Sequence, residues 1–298
     1  MTPTLEQTLD QRIHAVNSER GVVEAALAQQ FPAFTPLTPR PASAAGHLGL
    51  HARPDAQAAQ VTEALYGEAL EVLEELEGGW AWVRTVHDGY LGYTRSEGLG
   101  EARPAPLKIT ALRAHLYAAP SIKAPLLSRL SSGAGLQVLG DQEQHGEYGW
   151  WRVAYRDREG FVRTSATDPQ EPRSGEDFLR QYLGVPYVWG GRSAWGIDCS
   201  GLAQLMTRLP LPRDADQQRD FLPTTQTPRL GDLAFFPGHV GIMLDERRMI
   251  HANATHMAVS IETLGEGSYG RKLAQTLTGF GRVPDDLGAT STTQDAAE

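Results

Sequence analysis

Apolar side chains recur at Leu202, Leu205, Met206 and Leu209, the i, i+3, i+4 and i+7 positions of one helix face. Pro210 and Pro212 end that pattern, because proline cannot extend the hydrogen-bond ladder. Further on, Val240, Ile242 and Leu244 alternate as in a half-buried strand, Asp245 to Arg248 predict a turn, and Met249-Ile250-His251 predict the returning strand. Near the start, Leu5, Leu9, Ile13 and Val16 predict an amphipathic helix that packs on the body of the protein. Pro32, Pro36, Pro39 and Pro41 then mark a linker.

Between these segments the chain repeats itself. Leu50-His51-Ala52-Arg53-Pro54 is echoed by Leu116-Tyr117-Ala118-Ala119-Pro120, and each proline precedes a glycine, Gly67 or Gly133, by thirteen residues. Leu70-Glu71-Val72-Leu73 matches Leu136-Gln137-Val138-Leu139, Trp80-Ala81-Trp82-Val83 matches Trp150-Trp151-Arg152-Val153, and Gly92-Tyr93 matches Gly160-Phe161. Short alternating runs divided by Gly and Asp turns predict two small β-barrels.

The chemistry starts from Cys199, the one cysteine present. It has no disulfide partner, and too few Cys and His stand at ligand spacing for a structural zinc site. It is therefore a buried apolar residue or a nucleophile. Asp198 suits the N-cap of the helix, which puts Cys199 and Ser200 in its first turn. Unpaired N–H groups there favour a thiolate and can hold an oxyanion. Gly201 removes a side chain where a substrate backbone would approach. A nucleophile needs a base, and His239 and His251 lie on the two predicted hairpin strands. An odd loop would set them directly opposite on one face, and an even loop would face them apart. His239 then acts as base and His251 orients its second ring nitrogen; the alternative for each is a satisfied structural histidine.

Pro186-Tyr187-Val188-Trp189-Gly190-Gly191, Asp198-Cys199-Ser200-Gly201, Gly231-Asp232-Leu233 and His239-Val240-Gly241-Ile242 resemble, in order and spacing, the NlpC/P60 cysteine peptidases. The resemblance implies a papain-like α+β catalytic domain that hydrolyses cell-wall peptides between γ-D-glutamate and a diamino acid. It makes Cys199 the nucleophile, His239 the base and His251 the third polar residue. Tyr187 and Trp189 line the site, and Asp198 and Ser200 stand at its oxyanion side. The repeats resemble bacterial SH3 domains. The expected organisation is thus α+β and multidomain. Residues 1–45 form a helix and linker, 46–102 and 103–168 two SH3-like barrels, 173–285 the catalytic domain, and 286–298 a disordered tail.

This arrangement resembles the NlpC/P60 subgroup that cleaves L-Ala-γ-D-Glu-diamino acid peptides and requires a free N-terminal L-Ala. Arg213-Asp214 follows the nucleophile helix where that subgroup has Arg-Asp-Ser, which implies that Asp214 pairs with the substrate ammonium. Ala215 replaces the serine, and the preceding loop is about three residues shorter. Leu65-Tyr66-Gly67-Glu68 and Asp88-Gly89-Tyr90 match segments that wall the site, making Glu68 and Tyr90 candidate contacts for the substrate N-terminus. Their alternatives are a solvated loop carboxylate and a partly exposed turn aromatic.

Composition changes this picture little. Hydrophobic residues make up 41% and charged residues 21%, as in ordinary globular chains. A net charge of −9 argues against nucleic acid or an anionic membrane as partner. The first residues lack a basic n-region and an apolar h-region, and no later run is long enough to span a membrane, so a cytoplasmic monomer is expected. His251 and His256, five apart, are expected on opposite strand faces, and no metal or cofactor is indicated. An exported wall hydrolase, a catalytically silent wall-binding protein and a cysteine acyltransferase or amidase are the competing readings.

Overall fold

Short apolar runs separated by turns build two large antiparallel sheets, beside smaller ladders, before the chain reaches its longer helices. The computed structural model describes residues 9–167, 175–207 and 209–284. The first sheet has seven strands in the order Leu99–Glu101, Arg40–Ala44, Ala69–Leu76, Trp80–Thr85, Leu91–Arg95, Leu48–His51, Gln60–Ala64. The second has five, in the order Leu126–Ser131, Arg113–Tyr117, Arg158–Arg163, Tyr148–Tyr155, Glu143–His145.

The second sheet repeats the pairing of the first. Val83 faces Gly92 as Val153 faces Gly160, and His51 faces Tyr93 as Tyr117 faces Phe161. The repeated glycine has a packing cause. A Cβ on Gly92 would meet the Leu50 Cβ at 2.8 Å, and one on Gly160 would meet the Leu116 Cγ at 2.9 Å. Each leucine fills the centre of its own core and leaves no room for a side chain opposite.

Among the described residues, the N-terminal segment holds no α-helix. Ile13 lies in a turn and Val16 in the strand Val16–Asn17, while Leu5 lies outside the described residues. Asp10 diverts the chain: its carboxylate accepts from the Arg12 N–H at 3.0 Å, and its carbonyl accepts from the Ile13 and His14 N–H groups. This local turn wins over helical spacing that few residues support. The proline stretch is likewise no bare linker, since Pro36 lies in the strand Thr35–Leu37 and Pro41 in Arg40–Ala44. Ala15, Val22 and Leu37 pack against Leu73, Trp82 and Leu91 of the first sheet. The expected tail at 286–298 lies outside the described residues.

The described residues of the remaining chain form a six-stranded sheet, a two-stranded ladder of Arg192–Ser193 and Gly196–Ile197, and four α-helices: α1 (Glu176–Arg180), α2 (Cys199–Met206), α3 (Ala215–Phe221) and α4 (Gly267–Thr276). The strand order of the six-stranded sheet is Thr224–Thr225, Gly279–Gly281, Leu233–Phe236, His239–Met243, Arg248–Asn253, Ala258–Thr263. Leu233-Ala234-Phe235-Phe236 is apolar throughout because both of its faces are covered. Leu233 and Phe235 belong to the same core cluster as Leu202, Ala203 and Met206 of α2, while Ala234 and Phe236 belong to the cluster that includes Leu273 of α4. Burial of a side chain such as Leu202 contributes about 1.5–3 kcal/mol. The periodic run to Leu209 overestimates α2, which ends at Met206 with Thr207 extended. The nearby Pro210 biases the backbone before it away from helix, yet Leu209 stays buried. The whole is mixed α and β structure in which strands dominate.

Candidate active site

Asp198 caps α2 as its residue type predicts, accepting from the Gly201 N–H at 2.7 Å. Its other oxygen accepts from the Gly190 N–H at 2.8 Å. Arg213 closes on both carboxylate oxygens at 3.0 and 2.6 Å and also donates to Ser200 Oγ at 2.8 Å. Asp198 and Ser200 therefore hold the nucleophile turn in place. Gly201 serves the same packing, since a Cβ there would meet the Gly191 carbonyl oxygen at 2.4 Å. That contact, rather than substrate approach, requires glycine.

The hairpin brings the histidines together by a register other than the one expected. Ile242 pairs with Ile250 and Met243 with Met249 around the odd five-residue loop 244–248. Asp245 accepts from the N–H groups of Arg247 and Arg248, which centres the loop on Glu246. His239 and His251 are consequently two positions out of register, diagonal on one face rather than directly opposite. Gly241 lies opposite His251 in this register, and a Cβ there would meet the Met249 sulfur at 2.8 Å and the His251 Cβ at 3.4 Å. Their rings meet at 2.7 Å between His239 Nε2 and His251 Nδ1.

His251 is fully buried, and its ring stacks on Tyr269 of α4 at 5.8 Å. His256 lies in the turn after the His251 strand and touches the same Tyr269 ring edge-on at 5.6 Å. The expected opposite-face separation of the two therefore fails, because the chain turns before His256. Among the described residues no three His, Cys, Asp or Glu side chains converge as metal ligands.

Burial dominates the electrostatics. It pushes the Cys199 thiol up to about 12, aided by the Asp198 charge; the Val240 and Ser200 N–H groups and Arg213 oppose that rise. Burial also lowers His239 to about 4, and it lowers His251, with His239 and His256 adding to the effect, to about 3. Burial thus works against the thiolate that the helix N-terminus favours, and it favours the neutral histidines. Tyr187, half-buried, is raised to about 12 by burial and then by Cys199, so its hydroxyl remains a donor beside the sulfur.

Cys199 opens on a cavity of about 250 Å³ lined by Trp189, Asp198, Ser200 and Asp214 from the catalytic unit and by Val61 and Tyr90 from the first sheet. Tyr90 is buried and donates to Asp214 Oδ2 at 2.9 Å. Trp189 is 62% exposed at the cavity rim. Glu68 does not reach the cavity. Its carboxylate takes the Arg192 guanidinium at 2.8 and 3.2 Å and the Leu65 N–H at 2.9 Å. It is not a solvated loop carboxylate but one of the ties between first sheet and catalytic unit, set apart from the cavity lining.

A cysteine at a helix start, a paired histidine and a half-buried tyrosine agree with the known proteins that this chain resembles. Residues 184–278 match the NlpC/P60 family and residues 50–99 the bacterial dipeptidyl-peptidase Sh3 domain. The protein named dipeptidyl-peptidase 6 from Lysinibacillus sphaericus is 32% identical over 78% of this chain and 96% of its own. The chain belongs to the NlpC/P60 family of cysteine peptidases. The γ-D-glutamyl-L-lysine dipeptidyl-peptidase of Bacillus subtilis is 30% identical, over 71% of this chain and 78% of its own. An NlpC/P60 family protein from Bacillus cereus shares the fold, with a TM-score of 0.66 at 20% identity over 82% of this chain and 99% of that one.

Family membership leaves several residues that motif and periodicity do not single out. Arg213 and Arg192 are buried and reach from the catalytic unit into the first sheet, where Arg213 Nε donates to Thr62 Oγ1 at 2.9 Å and the Arg192 N–H to Glu63 Oε2 at 2.8 Å. Arg12 and Asp216 join the cavity lining from segments far apart in the chain. The adjacency of Arg213 to Asp214 is the one signal among them that the sequence offers.

Proposed function

We propose that the protein is an endopeptidase that cleaves the bond between γ-D-glutamate and a diamino acid in murein peptides bearing a free N-terminal L-Ala. One observation carries the reading: the nucleophile and the Tyr90–Asp214 pair line a single cavity to which the first sheet and its turns contribute Val61 and Tyr90. A carboxylate there complements an ammonium. An acylated amine would leave that carboxylate unpaired, and a longer chain would meet the wall. The names of the Lysinibacillus and Bacillus relatives agree with such a substrate.

His239 Nε2 is committed to His251, which leaves Nδ1 to take the thiol proton. In the reaction we infer, Cys199 sulfur attacks the γ-carbonyl carbon of D-glutamate as its proton passes to His239. N–H groups at the start of α2 and the Tyr187 hydroxyl hold the oxyanion. The C–N bond breaks as His239 returns its proton to the leaving amine. Water then attacks the thioester with His239 as base, the C–S bond breaks, and the thiol is restored.

Such specificity suits released wall peptides rather than intact wall, so recycling by a cytoplasmic monomer goes with it, and the five-stranded sheet is read as a second SH3-like unit. The test offers L-Ala-γ-D-Glu-meso-diaminopimelate and its N-acetylated form, with products followed by mass spectrometry. The reading expects release of the diamino acid from the free peptide alone and none with Cys199→Ala. Equal cleavage of both peptides overturns the amine requirement, and activity in the Cys199→Ala variant overturns the nucleophile.

A further inference from the structure

Arg12 comes from the N-terminal turn, yet its guanidinium lines the cavity that holds Cys199. It donates to Asp10 from Nε and Nη2 at 2.9 and 2.8 Å, to Asp214 from Nη1 at 2.9 Å, and to Asp216 from Nη1 and Nη2 at 2.9 and 3.0 Å. A guanidinium has five N–H groups, so these bonds use all of them. Its backbone is fixed as well: the Leu91 N–H donates to the Arg12 carbonyl at 2.7 Å, next to Tyr90. Asp10 also accepts from Gln217 of α3 at 2.9 Å.

We propose that Arg12 is a positioning residue of the amine-binding end of the site, a role that rests on Asp214 and Tyr90 receiving the substrate ammonium. Without a spare N–H, Arg12 has nothing to offer a substrate carboxylate. An ammonium that displaced it would have to break a fully satisfied fork. What Arg12 does is clamp three carboxylates at one point, which Coulomb repulsion would otherwise drive apart or protonate. One cation among three carboxylates leaves the wall two negative charges in excess. That excess complements one entering ammonium and offers nothing to a neutral N-acyl end. Asp214 Oδ2 is held from both sides, by Arg12 and by Tyr90, which fixes its aim into the cavity. The N-terminal segment thereby becomes part of the specificity machinery of a site built mainly more than 180 residues later.

Steady-state kinetics on the full chain test this with wild type, Arg12→Ala and Arg12→Lys, each on the free and N-acetylated tripeptides. Arg12→Ala is expected to raise KM for the free peptide about tenfold, leave kcat within about twofold, and narrow the preference over the acetylated peptide by a similar factor. Arg12→Lys keeps the charge without the fork and is expected to fall between. Arg12→Ala with unchanged KM and preference overturns the inference alone. A lowered KM also overturns it, by making Arg12 a competitor for the ammonium. Wild type that ignores acetylation overturns the underlying reading, and this inference with it. Should Arg12→Ala fail to fold, Arg12→Lys decides: equality with wild type overturns the role, and a raised KM at constant kcat supports it.

Discussion

The two sheets share a register, but only one of them works for the active site. From the first, Thr62, Glu63, Glu68, Asp88 and Tyr90 bond to Arg213, Arg192, Gln204 and Asp214. From the second, Arg113 donates to the Ala194 carbonyl and Ser131 Oγ accepts from the Ala194 N–H, both in a loop outside the cavity. Aligning Gly92 on Gly160 puts Asp88 on Arg156 and Tyr90 on Arg158, and aligning Gly67 on Gly133 puts Glu68 on Ala134. The core positions that set the barrel are repeated. The turn and edge positions, which the core does not constrain, carry the divergence and with it the function.

The most severe perturbation of this asymmetry removes the buried ion pair among these ties. Arg192 is almost wholly buried, and Glu68 is its counter-ion. Glu68→Ala leaves that charge buried without a carboxylate partner, a change that costs about 3–5 kcal/mol when a buried pair loses one member. A drop of this size in denaturant-unfolding stability is expected, with loss of activity as the wall detaches. Glu68→Gln, which keeps hydrogen-bond acceptance, should lose less. An unchanged midpoint in Glu68→Ala would show that the remaining contacts, among them the Thr62–Arg213 and Asp88–Gln204 bonds, suffice to join the sheet to the catalytic unit.

A gentler perturbation asks where the copies should behave alike. Gly92→Ala and Gly160→Ala each force a methyl group against the central leucine of a packed core, an overpacking that costs about 1–3 kcal/mol. Gly92→Ala should be the worse, because its clash is with the Leu50 Cβ, which no rotamer change moves. Gly160→Ala meets the Leu116 Cγ and methyl groups, which can swing partly aside. Thermal unfolding of both variants measures the difference. A Gly92→Ala variant as stable as wild type would refute the packing account of the repeated glycine.

The legible parts of this molecule are those that depend on neighbours in sequence. The α2 cap at Asp198, the nucleophile turn and the odd-loop hairpin follow from residue type and spacing. The diagonal setting of His239 and His251 does not, because Asp245 decides the loop centre through two backbone bonds that spacing leaves open. The N-terminal turn is hidden by helical periodicity that Asp10 overrides. Glu68 illustrates the larger limit. Its partner lies 124 residues away, and nothing local distinguishes a carboxylate that ties two units together from one that meets a substrate. Arg12, whose partner Asp214 lies 202 residues on, is invisible in the sequence for the same reason.

The subtlest contrast between the copies rests on one hydroxyl. Tyr90 donates to Asp214 from the first sheet, while its counterpart Arg158 is exposed. Burial, followed by the Asp214 charge, raises the Tyr90 phenol well above its usual range, so it remains a donor throughout the working pH range. Tyr90→Phe keeps the ring and its packing but removes one hydrogen bond to a carboxylate. Asp214 then keeps Arg12 and its capping contact with the Gln217 N–H at the start of α3, but loses its donor from the first sheet, and KM for a free-amine tripeptide should rise about tenfold, or about 1.4 kcal/mol, with kcat nearly unchanged. Arg158→Ala, at the matching place in the other copy, should leave both constants as they are. Equal effects from the two substitutions would mean that the second sheet also reaches the substrate. No effect from either would leave Asp214 to act without the wall, and would confine the role of the first sheet to closing the cavity.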